Sequence, residues 1–205
     1  MTMSPPKWLK ASGKPWVRGP SKVVYDNPWI NVTEYQATAP TGRPAIYGLV
    51  TMKYRALGVL PLHEDGTVTL VGQNRFTFES YSWEIPEGGG KVDGDPLADI
   101  QRELAEEAGL VASDWREVLR FQLSNSLTTE AGFGYLAMGL APSPPVAETD
   151  DTEDIALARV PFREALDQAL AGNMPDMITI AMLLRAYHMA REGELPAQLT
   201  HAMLG

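Results

Sequence analysis

Arg102-Glu103-Leu104-Ala105-Glu106-Glu107-Ala108-Gly109-Leu110 sets three glutamates within five positions and ends on a glycine. Upstream, Asp95-Pro96 supplies an N-cap residue and a first-turn proline, and Leu97, Ile100, Leu104 and Ala108 recur at helical spacing up to Gly109, a natural stop. The pattern predicts a helix from Pro96 to about Ala108. On it Glu103 and Glu107 are four apart and share a face, where like charges cost ~0.2–0.5 kcal/mol per pair unless something neutralises them. A divalent cation would do so, and ligands that are all oxygen suit Mg²⁺ or Mn²⁺. The bland alternative is a solvated charged face, in which Arg102 and Glu106 form an ordinary pair four residues apart.

On either side of this helix the chain reads mainly as strands. Alternation from Val23 to Thr38 suggests two short strands about the turn Asp26-Asn27-Pro28, followed by strands Ala45 to Lys53, Ala56 to Leu62 and Thr67 to Gln73. Glu87-Gly88-Gly89-Gly90 is too flexible for a helix and reads as a loop. Strands resume from Trp115 to Leu123, Gly132 to Leu140 and Ile155 to Val160, and the chain closes with helices Phe162 to Ala171 and Met177 to Arg191. A central helix among strands with two helices after them indicates a layered α/β fold. The expected division is an N-terminal arm over residues 1–22, a β-rich extension over 23–55, a catalytic domain over 56–192 and a tail over 193–205.

Composition removes several chemistries. The 205 residues contain no cysteine, which excludes disulfides, thiolate zinc sites and a cysteine nucleophile. His63, His188 and His201 fall in unrelated segments and do not suggest a metal site. A formal charge of −9 argues against nucleic acid and anionic membranes as partners, so a phosphate substrate would have to be bridged by cations. With no long apolar span and no apolar core near the start, a soluble cytoplasmic protein is expected.

Taken with Gly88, the glutamate stretch resembles the Nudix box, G-x5-E-x7-R-E-U-x-E-E-x-G-U with U aliphatic. Gly88, Arg102, Glu103, Leu104, Glu106, Glu107, Gly109 and Leu110 match it in register; the first box glutamate is replaced by Gly94, between Asp93 and Asp95, either of which could substitute. The likeness extends over roughly residues 23–189 and is to the branch of ADP-ribose and nucleotide-sugar pyrophosphatases. Gln73-Asn74-Arg75 is similar to its Gln-Tyr-Arg element, Trp83-Glu84-Ile85-Pro86-Glu87-Gly88 to its Glu-Leu-Pro-Ala-Gly approach, and Asp151-Thr152-Glu153-Asp154-Ile155 to its acidic loop.

That resemblance implies a Nudix fold, a mixed sheet sandwiched between helices, and Mg²⁺-dependent hydrolysis of the pyrophosphate in a small nucleotide substrate. It implies that Glu103, Glu106 and Glu107 hold the metal together with the backbone carbonyl of Glu87, and that Arg102 fixes Glu106. It offers Glu153, with Asp151 second, to orient or deprotonate the attacking water. Arg75 becomes a candidate phosphate clamp and Glu84 a candidate ribose or metal-water contact, each against a plain structural role. Trp29 is where related enzymes stack a nucleobase, often across a homodimer, although a tryptophan is more often core. Asn125 stands where the ADP-ribose group carries proline, so ADP-ribose and a nucleotide sugar such as GDP-mannose both stay open, with Asn125 and Glu130 as candidate contacts to the distal sugar. A rival reading is a nucleotide-binding regulator on the same fold that does not hydrolyse its ligand.

Overall fold

The computed structural model describes residues 6–145 and 154–205. The chain forms two compact units, Met1–Lys53 with Ser124–Thr129, and Tyr54–Leu123 with Glu130–Gly205. No helix among the described residues is long and apolar enough to cross a membrane.

The smaller unit is an antiparallel meander of β1 (Val17–Asp26), β2 (Ile30–Thr38) and β3 (Pro44–Met52). β1 begins inside the stretch expected to be an arm, because its backbone pairs with β2 from Val17↔Thr38 to Asp26↔Asn31, a long-range constraint that local composition does not reveal. Asn27 closes the first turn by accepting the Trp29 and Ile30 amides at 2.9 and 2.8 Å. The segment Ser124–Thr129 is pinned to β3, with the Val50 amide donating to the Leu127 carbonyl at 3.0 Å and the Met52 amide to Thr129 Oγ1 at 2.9 Å. Only Thr33 and Ala37 are buried among this unit's described residues.

The larger unit carries the expected sandwich. Its four-stranded sheet runs β7 (Glu87–Lys91), β4 (Tyr54–Pro61), β9 (Ala131–Pro142) and β8 (Leu110–Gln122), with β4 and β9 parallel; a second sheet runs β10 (Ala156–Pro161), β5 (Thr67–Arg75) and β6 (Ser80–Glu84). Alternation along the strands feeds two cores. Leu57 and Val59 of β4 with Tyr135 and Ala137 of β9 pack against Ile100, Leu104 and Ala108 of α1 (Pro96–Ala108). The intervening Leu60, Leu136 and Met138 face the other way, into a larger core with α2 (Phe162–Leu170), α3 (Met177–Arg191) and α4 (Ala197–Leu204). In the stretch 193–205, read as the tail, Leu195, Leu199 and Met203 are buried in this core.

The glycine-rich stretch expected as a loop is the edge strand β7, paired antiparallel with β4 from Tyr54↔Lys91 to Gly58↔Glu87. Glycine is kept because neighbours crowd the strand: a Cβ on Gly90 would lie 2.7 Å from Leu57 Cδ1 and 2.8 Å from Asp99 Oδ2.

α1 starts and stops as its sequence dictates. The Asp95 carboxylate accepts the Leu97 amide at 3.0 Å, and Gly109, at φ 63°, turns the chain out through left-handed space. Asp95→Ala should lower unfolding stability by about 1 kcal/mol; denaturant titration checks this, and an unchanged midpoint would show that proline and packing suffice.

Candidate active site

Glu87, Glu103 and Glu107 meet where α1 packs against the edge strand β7. Glu103 lies against Gly88, where an added Cβ would stand 2.2 Å from its Cδ and 2.3 Å from its Oε1, so only glycine leaves room for this carboxylate. Glu107, nearly buried, accepts the Glu87 amide at 3.0 Å on Oε2 and ties the helix to the start of β7. Arg102 bonds Glu103 at 2.7 Å and also pairs with Glu106 four residues on, holding both side chains. Burial opposes the Arg102 charge, yet the two glutamates, Glu103 ahead of Glu106, make it more firmly protonated.

A second set of acids stands behind the first. The Arg75 guanidinium forks onto the Glu84 carboxylate, with Nε at 3.2 and 3.1 Å from its two oxygens. Its protonation is strengthened first by that bond and further by the charges of Glu84, Glu87 and Glu107, against burial. Arg75 of β5 and Glu84 of β6 thus form an ion pair across neighbouring strands. Arg75→Met would strand the buried Glu84 carboxylate and should destabilise the protein by about 2 kcal/mol, below the usual buried-pair loss because Arg75 is partly solvated. Chemical denaturation checks this, and Glu84→Leu in the same chain should recover most of the loss; a single variant as stable as the wild type would mean the pair contributes little.

Glu87 is a strongly perturbed acid. Burial, then the neighbouring carboxylates of Asp176 and Glu84, hold its carboxyl well above the ordinary range, while Arg75 pulls the other way. Thr179 Oγ1, on α3, stands 3.4 Å from Glu87 Oε1. Asp176 and Thr179 were not singled out from sequence; they arrive from the far end of the chain through tertiary packing, with only the helix-start pattern at Asp176 as a local sign.

The arrangement fits a divalent cation in its donor chemistry: every candidate side chain offers oxygen, and the acids crowd one another with Arg75 and Arg102 as the neighbouring cations. Among the described residues no three of His, Asp and Glu are gathered as a ready ligand set; Arg102 pairs with Glu103 and Glu106, and the Glu87 amide engages Glu107. Asp151 and Glu153 lie outside the described residues. At Gly94, Asp95 caps α1 and Asp93 is exposed; beyond these chain neighbours, Asp99 Oδ2 lies 3.3 Å from where a Gly94 Cβ would be.

The other candidates do not all come together. Trp29 is 64% exposed in the smaller unit, which overturns its reading as core: the Asn27 turn carries its backbone, and no core forms there to enclose the ring. Asn125 is in that same unit, lining a cavity of about 240 Å³ with Trp16, Arg18, Tyr35, Tyr47 and Thr128. Trp16 and Tyr47 meet edge to face at 5.2 Å, and Arg18 lies over Tyr35 at 5.4 Å. Glu130 belongs to the larger unit, where burial raises its carboxyl pKa.

Comparison with known proteins agrees with this geometry. The NUDIX domain profile matches residues 52–179. The chain is 30% identical over 151 residues to the ADP-ribose pyrophosphatase of Mycobacterium tuberculosis, covering 71% of this chain and 72% of that protein. It is 27% identical over 125 residues to a methanol dehydrogenase activator of Bacillus methanolicus, covering 61% and 68% respectively. A crystal structure of an ADP compounds hydrolase superposes with a TM-score of 0.79 at 18% identity, over 91% of this chain and all of that one, which establishes the fold. With the box glutamates gathered on one helix against a glycine strand and a family match over most of its length, this chain belongs to the NUDIX family and is a Nudix hydrolase.

Proposed function

We propose that this hydrolase cleaves the pyrophosphate of a nucleoside diphosphate linked to a sugar-like group, ADP-ribose or a nucleotide sugar such as GDP-mannose, releasing a nucleoside monophosphate and a sugar phosphate. The observation that carries the reading is the closure of the α1 carboxylates on β7, Glu107 onto the Glu87 amide and Glu103 into the space left by Gly88. The similarity to an ADP-ribose pyrophosphatase supports the substrate class.

Glu103, Glu106, Glu107 and the Glu87 carbonyl would hold Mg²⁺, or Mn²⁺, which supplies positive charge against the diphosphate. The chain's own part is placement, which is most of what phosphoryl transfer asks of a protein. Arg102 fixes the rotamers of Glu103 and Glu106, and Glu107 fixes the start of β7. Glu153, with Asp151 as second choice, is offered to orient or deprotonate the attacking water. Arg75 is offered to the phosphates and Glu84 to a ribose hydroxyl or a metal-bound water, the two side chains held in place by their ion pair. Trp29, exposed and aromatic, is offered to the nucleobase, and Asn125 and Glu130 to the distal sugar; the aromatic and amide lining beside Asn125 suits a ring or a sugar.

The smaller unit also supports a homodimer. Val17, Val23, Val24, Tyr25 and Ile46 are exposed on a sheet that buries almost nothing of its own, the kind of surface a second copy would cover. Sedimentation velocity would return a dimer mass; a monomer at micromolar concentration would exclude it. The composition fits a cytoplasmic protein.

A second reading, a nucleotide-binding regulator, is favoured by the similarity to a protein named as an activator. Turnover of ADP-ribose, GDP-mannose, UDP-glucose, diadenosine polyphosphates and a nucleoside triphosphate with Mg²⁺ separates the two. Release of a nucleoside monophosphate from one of the first three supports the proposal; ligand binding without turnover of any favours the regulator.

A further inference from the structure

We propose that Thr179, with Asp176, is a positioning residue that holds the Ile85-Pro86-Glu87 segment in register for metal binding, so that the start of α3 is a working part of the active site. The inference rests on the reading that Glu87 contributes to the metal site.

Thr179 is a fully buried polar side chain on α3, whose Ile178, Met182 and Leu183 belong to the large apolar core. Threonine in a helix commonly turns its hydroxyl back on the preceding turn. Here the hydroxyl leaves its own helix: Oγ1 accepts the Ile85 amide at 3.0 Å and donates to Glu87 Oε1 at 3.4 Å. One hydroxyl therefore fixes both the backbone before Pro86 and the side chain after it.

Asp176 completes the bracket. Its carboxylate accepts the Thr179 amide at 2.7 Å as the α3 N-cap, which sets the rotation of the first turn and so the place of the Thr179 hydroxyl. From the other side Glu107 accepts the Glu87 amide at 3.0 Å, and the Pro86 carbonyl accepts the Val59 amide at 2.9 Å. The three-residue segment is thus held by α1, β4 and α3 at once. Groups that orient a ligand in this way usually matter about 10–100-fold to metal affinity or activity.

The test uses the full-length chain. Mn²⁺ affinity is measured by electron paramagnetic resonance, and kcat and KM on the best substrate, for the wild type, Thr179→Val and Thr179→Ser. Valine keeps the shape and loses both bonds; serine keeps the hydroxyl. The expected result is Mn²⁺ affinity weakened at least tenfold in Thr179→Val, with kcat reduced more than KM is raised, and both restored to within about twofold in Thr179→Ser. Unchanged Mn²⁺ affinity in a folded Thr179→Val overturns the inference even if its thermal midpoint falls, because a purely structural staple would give that pattern. Should Thr179→Val fail to fold, Thr179→Ala takes the same measurements with the same criteria. A wild type that binds no Mn²⁺ overturns both this inference and the metal reading, whereas a wild type that binds and a variant that binds equally well overturns this inference alone.

Discussion

Glu107→Gln should lower kcat on the order of 100- to 1,000-fold, the scale expected when one preorganised charge-stabilising group is lost, equivalent to about 2.7–4 kcal/mol of barrier. The glutamine side chain is nearly isosteric and still presents an oxygen to the Glu87 amide, now accepted at 3.0 Å, so the anchor to β7 survives while the negative charge does not. The thermal midpoint should stay the same or rise, since a nearly buried carboxylate has been removed from a cluster that includes Glu84, Glu87 and Asp176. Turnover against Mg²⁺ concentration, with a melting curve on the same preparation, checks both halves. Activity within threefold of wild type would move the essential charge off this helix face.

Gly88→Ala should cost activity about 100-fold while leaving the fold nearly intact. The new Cβ would fall 2.2 Å from Glu103 Cδ, 2.3 Å from Oε1 and 2.4 Å from Cγ. Backbone cannot yield cheaply in a paired strand, but the end of a glutamate side chain can, so Glu103 moves and the site loses a carboxylate from its place. If that is the route, the effect runs through one neighbour, and the two substitutions should fail to add: Glu103→Gln should lower activity strongly by itself, and Gly88→Ala in that background should lower it little further. Steady-state kinetics on the four corners of this cycle give the answer. Additive losses would mean that Gly88 acts on something other than Glu103.

How much of this was legible in the sequence depends on where each signal lies. α1 was readable residue by residue, because Asp95, Pro96, the Leu97-Ile100-Leu104-Ala108 spacing and Gly109 are all local and agree. For the same reason Arg102, Glu103, Glu106 and Glu107 were identifiable together: four of the site's side chains share one helix. β7 was not readable as a strand, since its three glycines carry no β signal; at Gly88 and Gly90 the space for a side chain is taken by Glu103, Leu57 and Asp99 from elsewhere in the chain. α4 is only eight residues long and buries just Leu199 and Met203, too few to set a period. Trp29 read as core by residue type, but exposure is decided by what packs nearby, and its sheet has little to offer. Asp176 and Thr179 were invisible as site residues because nothing near them in sequence announces Ile85 or Glu87.

The parallel pairing of β4 with β9 has a consequence for how the molecule is made. β7 hangs on one edge of β4, and the other edge waits for β9, from Ala56↔Gly132 to Pro61↔Ala137. During synthesis the strand next to the glutamate helix therefore emerges with Leu57, Val59 and Leu60 unprotected and one edge open until the ribosome has released residues far downstream. Such non-local pairing folds slowly, and an open apolar edge is the hazard for aggregation in the interval. Chains stalled or cleaved before β9 should be captured by chaperones or precipitate, whereas chains released past Pro142 can close the sheet.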